Sequence, residues 1–123
     1  MAAALSLRSQ NLGTLVVEDT SATSTRQANV FGAAATLFAV QIDNTLNTSA
    51  AVYFKLWNHN SPTVGTTAPN MVIFCAGGVK RQVTIDAGVR FGTGVSYACT
   101  TAAADSASAS PSNAVPIALL GTR

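Results

Sequence analysis

The 123-residue chain is predicted to be all-β: an antiparallel two-sheet β-sandwich, jelly-roll or Greek-key like, in a single domain. Three observations carry that expectation. Turn residues divide the chain into short segments whose apolar side chains alternate with a period of two, and no stretch holds a helical stripe capped at both ends. Hydrophobic residues make up 48% of the chain and charged residues only 10%, against about 25% charged in an average soluble protein, which argues against intrinsic disorder. A chain of this length buries roughly two-thirds of its unfolded surface, enough for one core and too little for two.

Residues 1–11 read as an N-terminal arm or edge segment and residues 12–123 as the sandwich. The first strand runs from Leu12 to Glu18 and closes at Asp19-Thr20-Ser21, followed by a polar loop from Ala22 to Gln27. From Phe31 to Asp43 the set Thr36, Phe38, Val40 and Ile42 alternates with Leu37, Ala39, Gln41 and Asp43, although Ala33-Ala34-Ala35 suits a helix by propensity. After a turn over Asn44–Ser49, the segment Ala51–Asn58 places Val52, Phe54 and Leu56 on one face and Tyr53, Lys55 and Trp57 on the other. The long, Pro- and Gly-bearing stretch Asn58–Asn70 reads as an exposed crossing loop. Met71–Ala76 and Val79–Asp86 flank Gly77-Gly78 and are predicted to form a β-hairpin. A turn at Ala87-Gly88 leads into a strand over Val89–Thr101, with Gly92 and Gly94 marking a bulge or kink. Ala102–Asn113 is a low-complexity Ala/Ser loop, and Val115–Leu120 is the last strand. Alternation assigns Phe38, Val40, Ile42, Phe54, Leu56, Val83, Ile85, Val95, Tyr97, Ile117 and Leu119 to the core.

The inventory of chemical groups is sparse. His59, the single histidine, lies between Asn58 and Asn60 in turn-forming sequence and reads as a solvated loop residue rather than a catalytic base. No Cys-x-x-Cys pair, second histidine or acidic cluster offers a metal site, and no cofactor motif is present: Gly92-Thr93-Gly94 lacks the lysine and the context of a phosphate loop. Cys75 and Cys99 fall in strands and are expected to pack as reduced thiols. Asn47-Thr48-Ser49 matches a glycosylation sequon but reads as an ordinary turn. Lys80, Arg81 and Arg90 can gather on one sheet region, yet three cations fall short of the roughly six to ten phosphate contacts of a committed nucleic-acid binder.

The net charge of +2 arises from seven scattered basic residues and five acids, so neither nucleic acid nor a membrane surface is an expected partner. The longest nearly apolar stretch, Phe31–Val40, is about half of the roughly 20 residues a membrane helix needs. The start, Met1 to Arg8, has no signal-peptide pattern, and folding in a cytosol is expected. A surface of Thr, Ser, Asn and Ala has a low desolvation cost when covered by another chain, which suits a crowded assembly.

From Ala51 onward, over roughly half of the chain, the sequence resembles small virion proteins of tailed bacteriophages. The resemblance is carried by Val52-Tyr53-Phe54-Lys55-Leu56-Trp57-Asn58, Ser61-Pro62-Thr63-Val64-Gly65-Thr66-Thr67-Ala68-Pro69, Gly88-Val89-Arg90-Phe91-Gly92-Thr93-Gly94-Val95-Ser96-Tyr97-Ala98 and Asp105-Ser106, in that order. It implies a β-sandwich carried on a phage particle and free of enzymatic activity.

These readings converge on a capsid decoration (cement) protein that is made in the bacterial host cytoplasm and located in the virion. Its expected partners are the major capsid protein and copies of itself, as a trimer or dimer. Leu5 and Leu7, in the arm, and Tyr53 and Trp57, on the second face of their strand, are the candidate subunit contacts. The rival readings are a tail- or fibre-associated receptor- or glycan-binding module, stacking Tyr53 and Trp57 on its ligand, and a hydrolase dependent on His59.

Overall fold

The computed structural model describes residues 14–123. They form seven strands: β1 (Thr14–Ala22), β2 (Ala35–Asp43), β3 (Val52–Asn58), β4 (Met71–Cys75), β5 (Lys80–Phe91), β6 (Val95–Thr100) and β7 (Val115–Thr122). One sheet has the order β1-β7-β2-β5 and the other β4-β3-β6, with every pair antiparallel. The two sheets face each other across one core, in which Leu37, Val40, Ile42, Ile117 and Leu119 of the first meet Val52, Phe54, Leu56, Tyr97 and Cys99 of the second. This is the predicted β-sandwich.

The segment 23–30 supplies a vestigial eighth strand. The Gln27 and Tyr97 backbones exchange N–H···O bonds of 2.8 and 3.0 Å, while Cys99 N–H donates to the Thr23 carbonyl and Val30 N–H to the Val95 carbonyl. Counting that segment, pairing is nested along the chain: first with last, second with seventh, third with sixth, fourth with fifth, alternate pairs joining alternate sheets. Such nesting is the jelly-roll connection. Tyr97 reinforces it by donating its hydroxyl proton to Asp19 Oδ2 at 2.8 Å, which ties β6 to the edge of the opposite sheet.

Several local expectations are corrected by this topology. Gly77-Gly78 does not turn a hairpin, because β4 and β5 belong to different sheets. The crossing is short because packed sheets lie only about 10 Å apart, a gap four residues can span. Conversely, Asn58–Asn70 joins β3 to β4 within one sheet and is long for a different reason, described below. Strand β1 runs through the expected turn at Asp19-Thr20-Ser21 with a register shift between Asp19 and Ala22. Ala33 and Ala34 precede β2 and form no helix.

Phe38 is the bulged residue of β2: the register steps from Leu37 to Ala39 against both neighbours. A bulge reverses strand parity, so Leu37, not Phe38, joins Val40 and Ile42 in the core, and Phe38 is half-buried. Opposite it, β5 loops out Ile85–Gly88 between Thr84 and Val89, so Ala87-Gly88 is a bulge inside one strand. Val83 and Ile85 are accordingly only partly buried. Gly88 has φ +77°, and a Cβ there would fall 2.5 Å from Thr36 Cγ2 and 2.8 Å from the Phe38 ring. The break between β5 and β6 falls instead at Gly92–Gly94, where the chain changes sheets.

At one end of the sandwich, buried Asn44 and Asn47 form a knot with the exposed Asn113. Asn44 Nδ2 donates to the carbonyls of Ala50 (2.9 Å) and Ala76 (3.1 Å), and its Oδ1 accepts from Asn47 Nδ2 at 2.9 Å. Asn47 Nδ2 also donates to the Asn113 carbonyl, and its Oδ1 accepts from Asn113 N–H, each at 2.9 Å. The β4–β5 crossing is drawn against this knot so closely that a Cβ on Gly77 would lie 2.6 Å from Ala50 N.

The bulge sets a stability contrast between two phenylalanines. Phe54→Ala is expected to lower unfolding free energy by about 3–5 kcal/mol. Phe38→Ala, at a half-buried bulge, is expected to cost about 1 kcal/mol. Urea denaturation of both variants measures the difference; equal losses would contradict the bulged register.

Candidate interaction surface

The outer face of the three-stranded sheet is where sequence and structure differ most. Its side chains are Tyr53, Lys55 and Trp57 from β3, Val72 and Phe74 from β4, and Ser96, Ala98 and Thr100 from β6. Two loops lie over most of it. Segment 59–70 covers Trp57, whose Nε1 donates to the Thr67 carbonyl at 2.9 Å. Segment 101–113 covers Lys55, whose Nζ donates to the carbonyls of Ala104 (2.7 Å) and Ala107 (3.3 Å). Thr100 Oγ1 donates to the Ala102 carbonyl at 2.8 Å. The loops also meet each other, since a Cβ on Gly65 would lie 3.4 Å from both Ser106 O and Ser108 Cβ.

Trp57 is therefore 1% exposed and belongs to the fold, contrary to its expected place on an open face. Lys55, which alternation placed on the same face, is fully buried. Loss of water pushes its amine below the usual lysine range, and the nearby Asp105 carboxylate opposes that shift. Neither burial is written in the local sequence, because the partners lie 10 residues away for Trp57 and 49 or 52 for Lys55.

What the loops leave open is an apolar cluster. Tyr53 is half-buried and packs its ring on Phe74, with centroids 5.5 Å apart and planes at 59°. Phe74 is 45% exposed and Val72, two residues along the same strand, 41%. Phe74 was not among the expected contacts; the alternation of Val72 and Phe74 with Ile73 and Cys75 could have signalled it. Arg81 borders the cluster and donates from Nη1 to the Phe74 carbonyl at 2.6 Å. Leu5 and Leu7, and the arm assigned to residues 1–11, lie outside the described residues.

The remaining chemical groups are engaged in structure or dispersed. His59 is exposed and its Nδ1 accepts the Ser61 N–H at 2.8 Å. The three cations do not gather: Lys80 lies 3.9 Å from Asp43 at one end of β5, while Arg90 donates to Thr36 Oγ1 at the other. Asn47, the sequon asparagine, is buried with its amide group bonded on both sides, a setting without room for a glycan. Among the described residues, no group of three or more His, Cys, Asp or Glu side chains is arranged to hold a metal ion, and no helix is long and apolar enough to cross a membrane. Comparison with protein-family models, curated proteins and solved structures finds no match.

Cys75 and Cys99 are free, buried and separated by β3, which pairs Val52 with Cys75 and Phe54 with Cys99. Two strand spacings come to about 9.5 Å, beyond the roughly 7 Å Cα separation a disulfide tolerates. Burial pushes the Cys99 thiol up to about 12, with the Cys75 sulfur adding to the effect.

Two expectations follow from this chemistry. Replacing Lys55 with Ala strands the Ala104 and Ala107 carbonyls, so stability is expected to fall by about 1–3 kcal/mol. Amide exchange should accelerate across residues 101–113, and unchanged exchange there would show that the lysine does not hold the loop. The thiols should resist alkylation in the native protein at pH 8 and give two adducts by intact mass after denaturation without reductant. Because the folded Cys99 value lies above the unfolded 9.0, the folded state holds that proton more tightly. Stability from this group is then complete below pH 9 and is lost as pH rises toward 12. In urea denaturation across that interval a Cys99→Ala variant should lose less stability than the unmodified protein, the remaining loss coming from Tyr97 and Cys75, whose folded values are also raised by burial.

Proposed function

We propose that the chain is a non-enzymatic structural protein of a tailed-phage particle, a decoration or cement protein that binds the assembled head from outside and bridges neighbouring coat subunits. Its partners in this reading are the major capsid protein and copies of itself, and its location is the virion. The observation that carries the reading is the Tyr53–Phe74–Val72 cluster, an apolar contact area left open on a face otherwise sealed by its own loops. Low charge supports it, because covering a surface of small neutral side chains has a low desolvation cost. The nested jelly-roll pairing adds a fold-level analogy, since that architecture recurs in viral capsid and lectin domains. The resemblance of the half of the chain after Ala51 to phage virion proteins points the same way. Burial of Trp57 removes one of the two aromatic platforms that a glycan-stacking tail module requires.

A protein of this kind stabilises by mass action: it binds the assembled shell and so adds its binding free energy to the shell's resistance. Linked contacts from an oligomer raise avidity by roughly 10²- to 10⁴-fold over a single site. Particles lacking the chain, supplemented with purified protein, are expected to release DNA at a higher temperature than bare particles. Phe74→Ser should be retained less well while keeping its circular-dichroism spectrum. Saturating binding with no change in release temperature would reject the cement role, and a handful of copies per particle on a gel would place the protein at the tail.

A further inference from the structure

A sheet edge is a row of unpaired backbone N–H and C=O groups, and proteins guard such rows with covering segments, short strands, bulges and charges. Three of the four edges here carry those guards. The β6 edge is covered by segment 23–30. Strand β4 is only five residues long, and Arg81 occupies its Phe74 carbonyl. Strand β5 is broken by the looped-out Ile85–Gly88 and carries Lys80, Arg81, Asp86 and Arg90, all exposed. Strand β1 differs. From Thr14 to Asp19 it pairs with β7 in unbroken register, and among the described residues nothing pairs with its other side. Val16, on its outer face beside Leu120, is 60% exposed, and the core-facing Leu15 and Val17 are only partly buried.

We propose that β1 is a self-association edge: β1 of a second copy pairs with it antiparallel about a two-fold axis at Val16, joining two four-stranded sheets into one of eight. Charge disfavours one alternative register. Glu18 is the one charged residue on the outer face of Thr14–Thr20, and centring on Val16 sets Glu18 opposite Thr14 of the partner subunit. A register centred on Glu18 would oppose two carboxylates. Val16 then meets its twin, and a strip of Ala39, Leu120 and Val16 continues across the joint. A net charge of +2 repels a second copy weakly. The pairing uses the same edge on both copies, so it closes at the dimer and does not propagate into a fibre. It holds whether or not the protein decorates a capsid.

Sedimentation equilibrium of the full chain over a wide concentration range tests the pairing. A species of twice the monomer mass is expected, lost in Val16→Lys, where two introduced ammonium groups would face each other across the axis, and kept in Phe74→Ser. Amide exchange of β1 in the unmodified protein supplies a readout independent of any variant: protection of Thr14–Asp19 should rise with concentration. A monomer at all concentrations overturns the proposal, as does a dimer dissolved by Phe74→Ser or one indifferent to Val16→Lys with its circular-dichroism spectrum intact. Protection of β1 that is independent of concentration also overturns it, and would assign the edge to residues 1–13 of the same chain.

Discussion

The amide knot of Asn44, Asn47 and Asn113 is the constraint on which the arrangement of the loops depends. It joins three parts of the chain that share no strand pairing: the β2–β3 turn, the β4–β5 crossing and the end of segment 101–113. Each buried amide there has partners on both its oxygen and its nitrogen, so the knot avoids the penalty of burying an unsatisfied polar group. Asparagine suits the task because one short side chain both donates and accepts, as a backbone peptide does. Aspartate at Asn44 would retain the acceptors and lose the donors that hold the Ala50 and Ala76 carbonyls.

From that end, segment 101–113 runs back over the outer face of the three-stranded sheet and turns it into a buried layer. With segment 59–70 covering the Ser96 end, every residue of β6 is buried, although only alternate ones face the core between the sheets. The loop's Ala and Ser side chains allow a close approach, bringing two backbone carbonyls to the Lys55 amine. A lone buried ammonium is costly unless hydrogen-bonded; here the carbonyls, with Asp105 nearby, meet part of that cost. Low-complexity sequence in this protein thus forms an ordered cover, and the apolar contact area is confined to the margin that the cover does not reach.

The paired bulges do related work in the other sheet. Phe38 steps out of β2 where β5 loops out four residues, and Gly88 gives the Phe38 ring room that a Cβ would deny it. The irregularity interrupts the β5 edge while β1, on the far side of the same sheet, keeps unbroken register from Thr14 to Asp19. The two margins of one sheet therefore differ in how readily another strand can join them.

Alternation in the sequence determined that the chain is a single-core β-sandwich, and it placed Val40, Ile42, Phe54, Leu56, Tyr97 and Leu119 inside, because a period of two is a property of each strand alone. It also set Tyr53 on the face opposite Phe54 and Leu56. Tertiary structure alone decided which strands share a sheet: the short Gly77-Gly78 link crosses and the long Asn58–Asn70 link does not, since loop length reports what a loop covers as well as how far it travels. Tertiary structure likewise shifted the parity of β2 at Phe38, where the extra residue is defined only against neighbouring strands. The fates of Trp57 and Lys55 belong to the same class. Their alternation named the face they occupy, but whether that face meets water depends on loops placed over it by contacts with other parts of the chain, which no local pattern encodes.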